Sequence, residues 1–205
     1  MTNEIADLVT DDEAKERARE LDRVLRDAAE RDGLIDVAIG TMDSPVGELL
    51  LAVTAKGLAC VAYDEQDRDR LLDRFARELS PRVLGSARPT DAARGQLDEY
   101  FAGARHAFDL RLDRRLMGPF ARKVLDATAR VPFGEVSTYG RVATEIHAPH
   151  AARAVGAALG SNPIPIVVPC HRIVGASGKL TGYAGGLHRK EFLLRLEGDP
   201  VLFLG

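Results

Sequence analysis

The sequence predicts a two-part α+β chain, and three observations carry that reading. Between residues 36 and 63, short apolar runs alternate with turns bearing Gly and Pro, the pattern of a hairpin-built, mainly antiparallel sheet. From Pro119 onward the pattern changes to helices and loops. Charge divides near the same place: residues 1–114 hold 17 Lys and Arg against 25 Asp and Glu, net −8, whereas residues 115–205 hold 11 against 6, net +5. With 45% hydrophobic residues in 205, the chain can build one large core or two small ones.

Residues 1–9 are expected to be disordered. Residues 10–33 read as an N-terminal helix ended by Gly33. Asp11 and Asp12 suit its start, and Ala14, Ala18, Leu21, Leu25 and Ala28 form one narrow apolar stripe, expected to dock within the chain. The α/β N-terminal domain spans 34–112. It opens with strands at 36–42, 48–54 and 58–63, joined by turns at 44–47 and 55–57. Cys60 falls among apolar neighbours in the third strand and reads as a buried structural residue. A helix at 67–79 turns Leu71, Leu72, Phe75 and Leu79 inward. A short strand at 82–84 follows, then a helix capped by Thr90 and running to Phe101. Residues 107–112 alternate apolar and polar, predicting a half-buried strand. Residues 113–118 read as a linker.

The second domain spans 119–205. Pro119 suits the first turn of a helix over 120–131 that is broken at Pro132. Ser137 or Thr138 can cap a helix to Ile146. His147-Ala148-Pro149-His150 is a turn, and 151–160 is a second helix rich in small residues, so the pair is a helix-turn-helix candidate. An apolar run set between prolines then leads from Asn162 to Cys170 and His171. Residues 175–186 are a glycine-rich loop that lacks the Gly-Lys-Ser/Thr of a phosphate-binding loop. A last helix spans 188–196.

Several function classes are excluded. No apolar run reaches the ~20 residues of a membrane span, and the acidic N-terminus does not resemble a signal peptide, so a cytoplasmic protein with no membrane association is expected. The two cysteines lie far apart, so no disulfide is expected. No Cys-x-x-Cys or His-x-x-x-His pair offers a zinc ligand set, and neither metal nor cofactor is expected. Cys170 beside His171 is the one candidate for nucleophilic chemistry, since a thiolate next to a base is a strong, polarisable nucleophile. On an extended strand these neighbours would face opposite ways, so either the chain turns at Pro169 or a water bridges the two.

The ordered set Gly134-Glu135-Val136 with Tyr139, Ala151-Ala152-Arg153-Ala154-Val155-Gly156, Asn162-Pro163, Pro169-Cys170-His171-Arg172, Gly182-Tyr183 with Gly185-Gly186, and Leu196-Glu197-Gly198 resembles the O6-alkylguanine-DNA alkyltransferases across residues 119–198. Residues 36–112 fit that family's N-terminal domain, which the resemblance implies to be ribonuclease-H-like. The helix over 10–33 is additional to the pattern. The resemblance implies one-shot transfer of an alkyl group from O6-alkylguanine in double-stranded DNA to Cys170 after base flipping, with O4-alkylthymine open as a second substrate. It further implies that His171 is the base, oriented by Glu197, and that Asn162 ties the recognition helix to the active-site segment. Tyr183, Pro165 and Leu159 would belong to the substrate pocket, with Lys190 nearby in an open role. Tyr139 would crowd the target's phosphate, Arg153 would fill the vacated stack, and Ser177 would touch phosphate. A monomer in solution is expected, with cooperative binding on DNA left open.

The sequence also departs from the family pattern. The helix over 120–131 lacks a tryptophan often found there, and Leu125 or a neighbour fills that space. His147 and His150 stand where glycine and a basic or small residue are usual. The N-terminal domain lacks the zinc ligands some relatives carry, and no separate module with its own reactive cysteine is expected. Three other classes compete: a non-catalytic binder of alkylated DNA, which would lack Cys170; a helix-turn-helix regulator; and a cysteine hydrolase, which should turn over. The second would need base-reading side chains that 151–160 does not supply beyond Arg153.

Overall fold

The structure, a computed structural model, describes residues 11–198, leaving aside the side chains of the first two. The disordered start expected for 1–9 and the last seven residues of the second domain lie outside the described residues. Strands β1 (Val37–Met42), β2 (Leu49–Thr54), β3 (Gly57–Tyr63) and β4 (Val83–Gly85) form one sheet in the order β3-β2-β1-β4. The β1/β2 and β2/β3 pairs are antiparallel hairpins, while β4 runs parallel to β1 after a helical crossover. Ser44 closes the first hairpin by accepting from Val46 N at 3.2 Å and donating to Gly47 O at 2.5 Å, and Gly47 takes the left-handed φ of +98°.

One sheet face is sealed by α2 (Arg68–Glu78). Asp67 caps this helix by accepting from Arg70 N, and Phe75 packs over Val37, Ile39, Ala52 and Cys60. Cys60 is buried among these groups, as expected for a structural residue. The other face, with Leu49, Leu51, Val61 and Tyr63, meets α3 (Asp91–Phe101) through Leu97 and Tyr100. It also meets the second domain, whose α4 (Pro119–Thr128), α5 (Tyr139–Glu145), α6 (Ala152–Gly160) and α7 (Leu187–Leu196) supply Val124, Leu125, Val142, Val155 and Leu193 to the same core. Each such aliphatic side chain gains about 1.5–3 kcal/mol on burial, so the two parts are welded by a shared core. Leu125 fills core space on α4, where the family pattern often has tryptophan.

Three expectations need correction. The strand predicted at 107–112 is an extended segment with one bridge, Leu112 to Leu58. The Gln96 side chain engages the backbone N–H and carbonyl of Asp109 at 2.8 and 2.9 Å, so a ladder is not needed to satisfy them. A Cβ at Gly57 would lie 2.1 Å from the Arg111 carbonyl, so this approach requires glycine. Thr90 stands at the N-cap of α3 but makes no capping bond, because its hydroxyl donates to Ala87 O at 2.6 Å in the preceding 3₁₀ turn. Within 113–118, buried Asp113 accepts from Thr54 Oγ1 at 2.6 Å and pairs with Arg115, which fixes the start of this segment to β2.

Last, α1 (Asp11–Arg31) does not bury its stripe. Leu21 and Leu25 are each 60% exposed, and the helix meets the body through polar groups near its end, with Arg26 donating to Gly85 O and Ser86 Oγ donating to Glu30. The stripe is too narrow, and too closely flanked by charge, to displace water from the sheet edge.

Candidate active site

Helix α6 ends at Gly160, and the chain then folds tightly instead of forming a strand. Asn162 organises the turn. Its Oδ1 accepts from Ile164 N at 3.0 Å, and its Nδ2 donates to Val168 O at 2.9 Å and to Cys170 Sγ at 3.2 Å. Val168 N reaches back to Ile164 O at 2.9 Å, while Ile166 adopts φ +71°. A β-branched residue in that region carries strain on the order of 1–3 kcal/mol, which the surrounding bonds must outweigh. Residues Cys170–Arg172 form a 3₁₀ turn directly after Pro169. The chain turns at Pro169, so the alternation of an extended strand does not apply, but His171 Nδ1 makes no direct hydrogen bond to Cys170 Sγ, so the turn does not replace a bridging water. Beyond the turn, β6 (Ile173–Val174) pairs in parallel with β5 (Ser137–Thr138), just before α5.

Glu197 is the C-cap of α7 and only 5% exposed. Its Oε1 accepts from Tyr100 Oη at 2.7 Å, from Arg172 at 2.9 Å and from His171 Nε2 at 2.9 Å; its Oε2 accepts from Arg172 Nε at 2.8 Å. Arg172 also donates to Val131 O at 2.6 Å, tying the segment after α4 into the cluster. A carboxylate only accepts, so His171 carries its proton on Nε2. The neutral ring then presents a lone pair at Nδ1, which is buried and engaged by no protein group among the described residues.

The electrostatics follow from burial. Burial alone would raise the Glu197 pKa, but hydrogen bonds and charge from His171 and Arg172 prevail and hold it down at about 2. Burial pushes His171 down from 6.5 against the pull of Glu197, so the ring is neutral at physiological pH. Burial pushes the Cys170 thiol up to about 11, opposed by the Asn162 hydrogen bond and by Lys190. Lys190 is brought down to about 8 by burial, opposed by Cys170. A thiol beside a neutral imidazole and under a nearby cation is set up to lose its proton only when an electrophile is at hand.

Cys170 opens onto a cavity of about 570 Å³ lined also by Tyr139, Arg153, Gly156, Leu159, Thr181 and Tyr183. Leu159, Tyr183, Tyr139 and Arg153 are thus brought together with the cysteine. Arg153 is exposed near the start of α6, and Tyr139 opens α5 with its hydroxyl 3.2 Å from Thr181 Oγ1. Between these helices His147 adopts φ +59°, the left-handed turn position where glycine is usual. Lys190 lies behind the cavity, fully buried, donating to Ile173 O at 2.5 Å and Thr181 O at 2.8 Å, and so fastens the loop to the segment after Cys170. Two expected residues stand apart. Pro165 is buried in the turn without lining the cavity, and Ser177 is exposed on the loop away from it. A larger cleft, about 640 Å³ between α1 and the β1/β4 edge, is rich in arginine but holds neither a cysteine nor a histidine.

Sequence reasoning missed three residues. Arg172 stood inside the Pro169–Arg172 tetrapeptide without a role, yet together with His171 it keeps Glu197 ionised. Tyr100 and Tyr63 lie in the first domain, where no chemistry was expected. Their signal would have been a phenol on an otherwise apolar inward face.

Both parts of the chain are similar to known proteins. Residues 37–114 match the family described as 6-O-methylguanine DNA methyltransferase, ribonuclease-like domain, and residues 119–199 match 6-O-methylguanine DNA methyltransferase, DNA binding domain. A methylated-DNA–protein-cysteine methyltransferase of Mycolicibacterium paratuberculosis is 47% identical over 157 residues, covering 77% of this chain and 90% of that protein. The crystal structure of Mycobacterium tuberculosis OGT in complex with DNA superposes with a TM-score of 0.69 at 42% identity, covering 80% of this chain and 96% of that one. The O6-methylguanine-DNA methyltransferase of the archaeon Pyrococcus kodakaraensis aligns with a TM-score of 0.56 at 27% identity, covering 79% and 99%.

Proposed function

The chain belongs to the 6-O-methylguanine DNA methyltransferase family, and from that premise we propose that Cys170 receives the alkyl group. The protein is a direct-reversal DNA repair protein, a methylated-DNA–protein-cysteine methyltransferase whose partner is DNA carrying O6-alkylguanine. The observation that carries the assignment of residues is that Cys170, held by Asn162, opens onto the cavity, with His171 next to it in the same 3₁₀ turn and fixed by Glu197.

In the proposed reaction a flipped guanine enters the cavity and the Cys170 proton passes to His171 Nδ1, directly or through one water. The thiolate then attacks the alkyl carbon. The S–C bond forms as the C–O6 bond breaks, the electron pair leaves with guanine, and guanine takes up a proton. Glu197 keeps His171 in the productive tautomer and compensates its charge as it becomes protonated. Asn162 holds Sγ in place and ties it to α6. Each molecule acts once, because nothing in the cycle removes a thioether.

Tyr139 and Arg153 at the cavity mouth suit extrusion of the base, one beside the backbone and the other in the vacated stack. The small residues of α6 bring it close to a groove without reading sequence, which disfavours an operator-specific regulator. We place alkyl transfer and DNA contact in 119–205, with 34–112 as its supporting domain, and the protein in the cytoplasm as a monomer. Two free cysteines fit a reducing compartment, and no described helix is long and apolar enough to cross a membrane.

The test is intact mass and peptide mapping after incubation with a duplex containing O6-methylguanine. One added methyl group on the Cys170 peptide is expected, and none on Cys170→Ser. Methyl on Cys60, or several turnovers per molecule, would sink the assignment.

A further inference from the structure

The wall of the cavity opposite Cys170 is gripped from the first domain. Tyr63, the last residue of β3, is buried, and its Oη lies 2.6 Å from Tyr183 Oη, the rings meeting edge to face. Its ring is held by two neighbours. The Arg189 guanidinium lies over it at 4.7 Å, held by Val46 O, Gly185 O, Asp64 and Glu65. Gly185 closes on the same ring, where a Cβ would fall 2.5 Å from it, so only glycine allows this approach. Tyr63 therefore cannot swing away, and the cavity segment Thr181–Gly186 is fastened to β3.

The direction of the hydrogen bond follows from burial. Tyr63 Oη has no acceptor among the described residues other than Tyr183 Oη, and a buried hydroxyl proton left unpaired is costly. Tyr183 is half-buried and faces the cavity, so its proton has somewhere else to go. We propose that Tyr63 is a positioning residue for alkyl transfer: it donates to Tyr183 Oη and so commits the Tyr183 proton to the base lying over Cys170. A phenol that accepts one hydrogen bond donates a stronger one, so the pair polarises the departing guanine more than Tyr183 alone could. This rests on the reaction assigned above, and it makes the first domain part of the reactive arrangement.

The test is a double-mutant cycle in single-turnover alkyl transfer from an O6-methylguanine duplex, using Tyr63→Phe, Tyr183→Phe and the pair. Tyr63→Phe keeps the ring against Gly185 and Arg189 and removes only the donor. It should slow transfer roughly tenfold while duplex affinity and melting temperature stay near the parent's. In the Tyr183→Phe background the same change should cost nothing further. Additive losses, or a Tyr63→Phe variant as fast as the parent, would overturn the proposal while leaving the reaction assignment standing. A parent chain that takes no methyl group would remove both, and the parent control separates the two outcomes.

Discussion

Tyr100 donates to Glu197 Oε1 at 2.7 Å across 97 positions of sequence, from the last turn of α3 to the cap of α7. The bond crosses from the first domain to the second and ends on the carboxylate that orients His171. It gives one more acceptor site on Glu197 a partner in a place water does not reach. Tyr100→Phe should therefore lower unfolding free energy by about 1.5–3 kcal/mol, the usual range for a hydrogen bond to a charged group. Denaturant titration measures it. Transfer by the folded variant should slow only several-fold, because Arg172 still holds the carboxylate.

Arg172 should matter more. It engages both oxygens of Glu197 and is itself buried. Arg172→Met would leave an uncompensated carboxylate in the core, with an expected loss of about 3–5 kcal/mol. Lysine restores the charge but not the two-pronged geometry or the bond to Val131 O, so Arg172→Lys should recover less than half of that loss. Full recovery with lysine would show that charge alone is what the cluster needs.

The contrast between these residues explains how much was legible beforehand. Local pattern located β1 to β3, α2 and α4 to α7, because each has a period-2 or helical apolar face or a Pro or Gly signal at its end. The motif set located Cys170, His171, Asn162, Glu197, Tyr139, Arg153, Leu159 and Tyr183 near one cavity. What was not legible depends on long-range partners. Residues 107–112 carry the alternation of a strand, yet Gln96 takes the backbone of Asp109. The stripe of α1 has helical spacing, but nothing in spacing says whether a surface waits for it. Tyr100 and Tyr63 look like ordinary core residues until the second domain folds against them.

The pH profile of the reaction distinguishes base-assisted attack from attack by a freely ionised thiol. Burial holds Cys170 at about 11, so an unassisted thiolate would make the rate climb about tenfold per pH unit through the neutral and alkaline range. With His171 as base, the reactive form is the neutral thiol–imidazole pair. Its population falls on the acid side, because burial lowers the pKa of His171 below 6.5, and loss of the Lys190 charge at about 8 turns the rate down, not up, on the alkaline side. Single-turnover rates of the parent should therefore not climb through the neutral and alkaline range. His171→Gln should be slower at neutral pH and should climb steadily with pH. A climbing profile in the parent would rule out His171 as the base.

Acid stability reads the same cluster through a different observable. Glu197 has an ordinary carboxylate pKa of 4.5 when unfolded and about 2 when folded, held there by His171 and Arg172 against the opposing effect of burial. The folded chain therefore binds fewer protons than the unfolded chain between those values. Stability from Glu197 is complete above pH 4.5 and is lost as pH falls toward 2. It amounts to a few kcal/mol in all, since each tenfold change in proton affinity is worth about 1.4 kcal/mol. His171 acts with the same sign at higher pH. Its folded pKa lies below 6.5, so the unfolded chain gains a proton first and stability begins to fall below that value. Unfolding free energy measured from pH 7 to pH 3 should thus decline in two stages. Glu197→Gln should remove the Glu197 contribution below pH 4.5. That variant also costs stability at pH 7, because Arg172 loses its counter-charge, so the diagnostic quantity is the slope with pH. An unchanged acid slope in Glu197→Gln would show that this carboxylate is not held ionised in the folded protein.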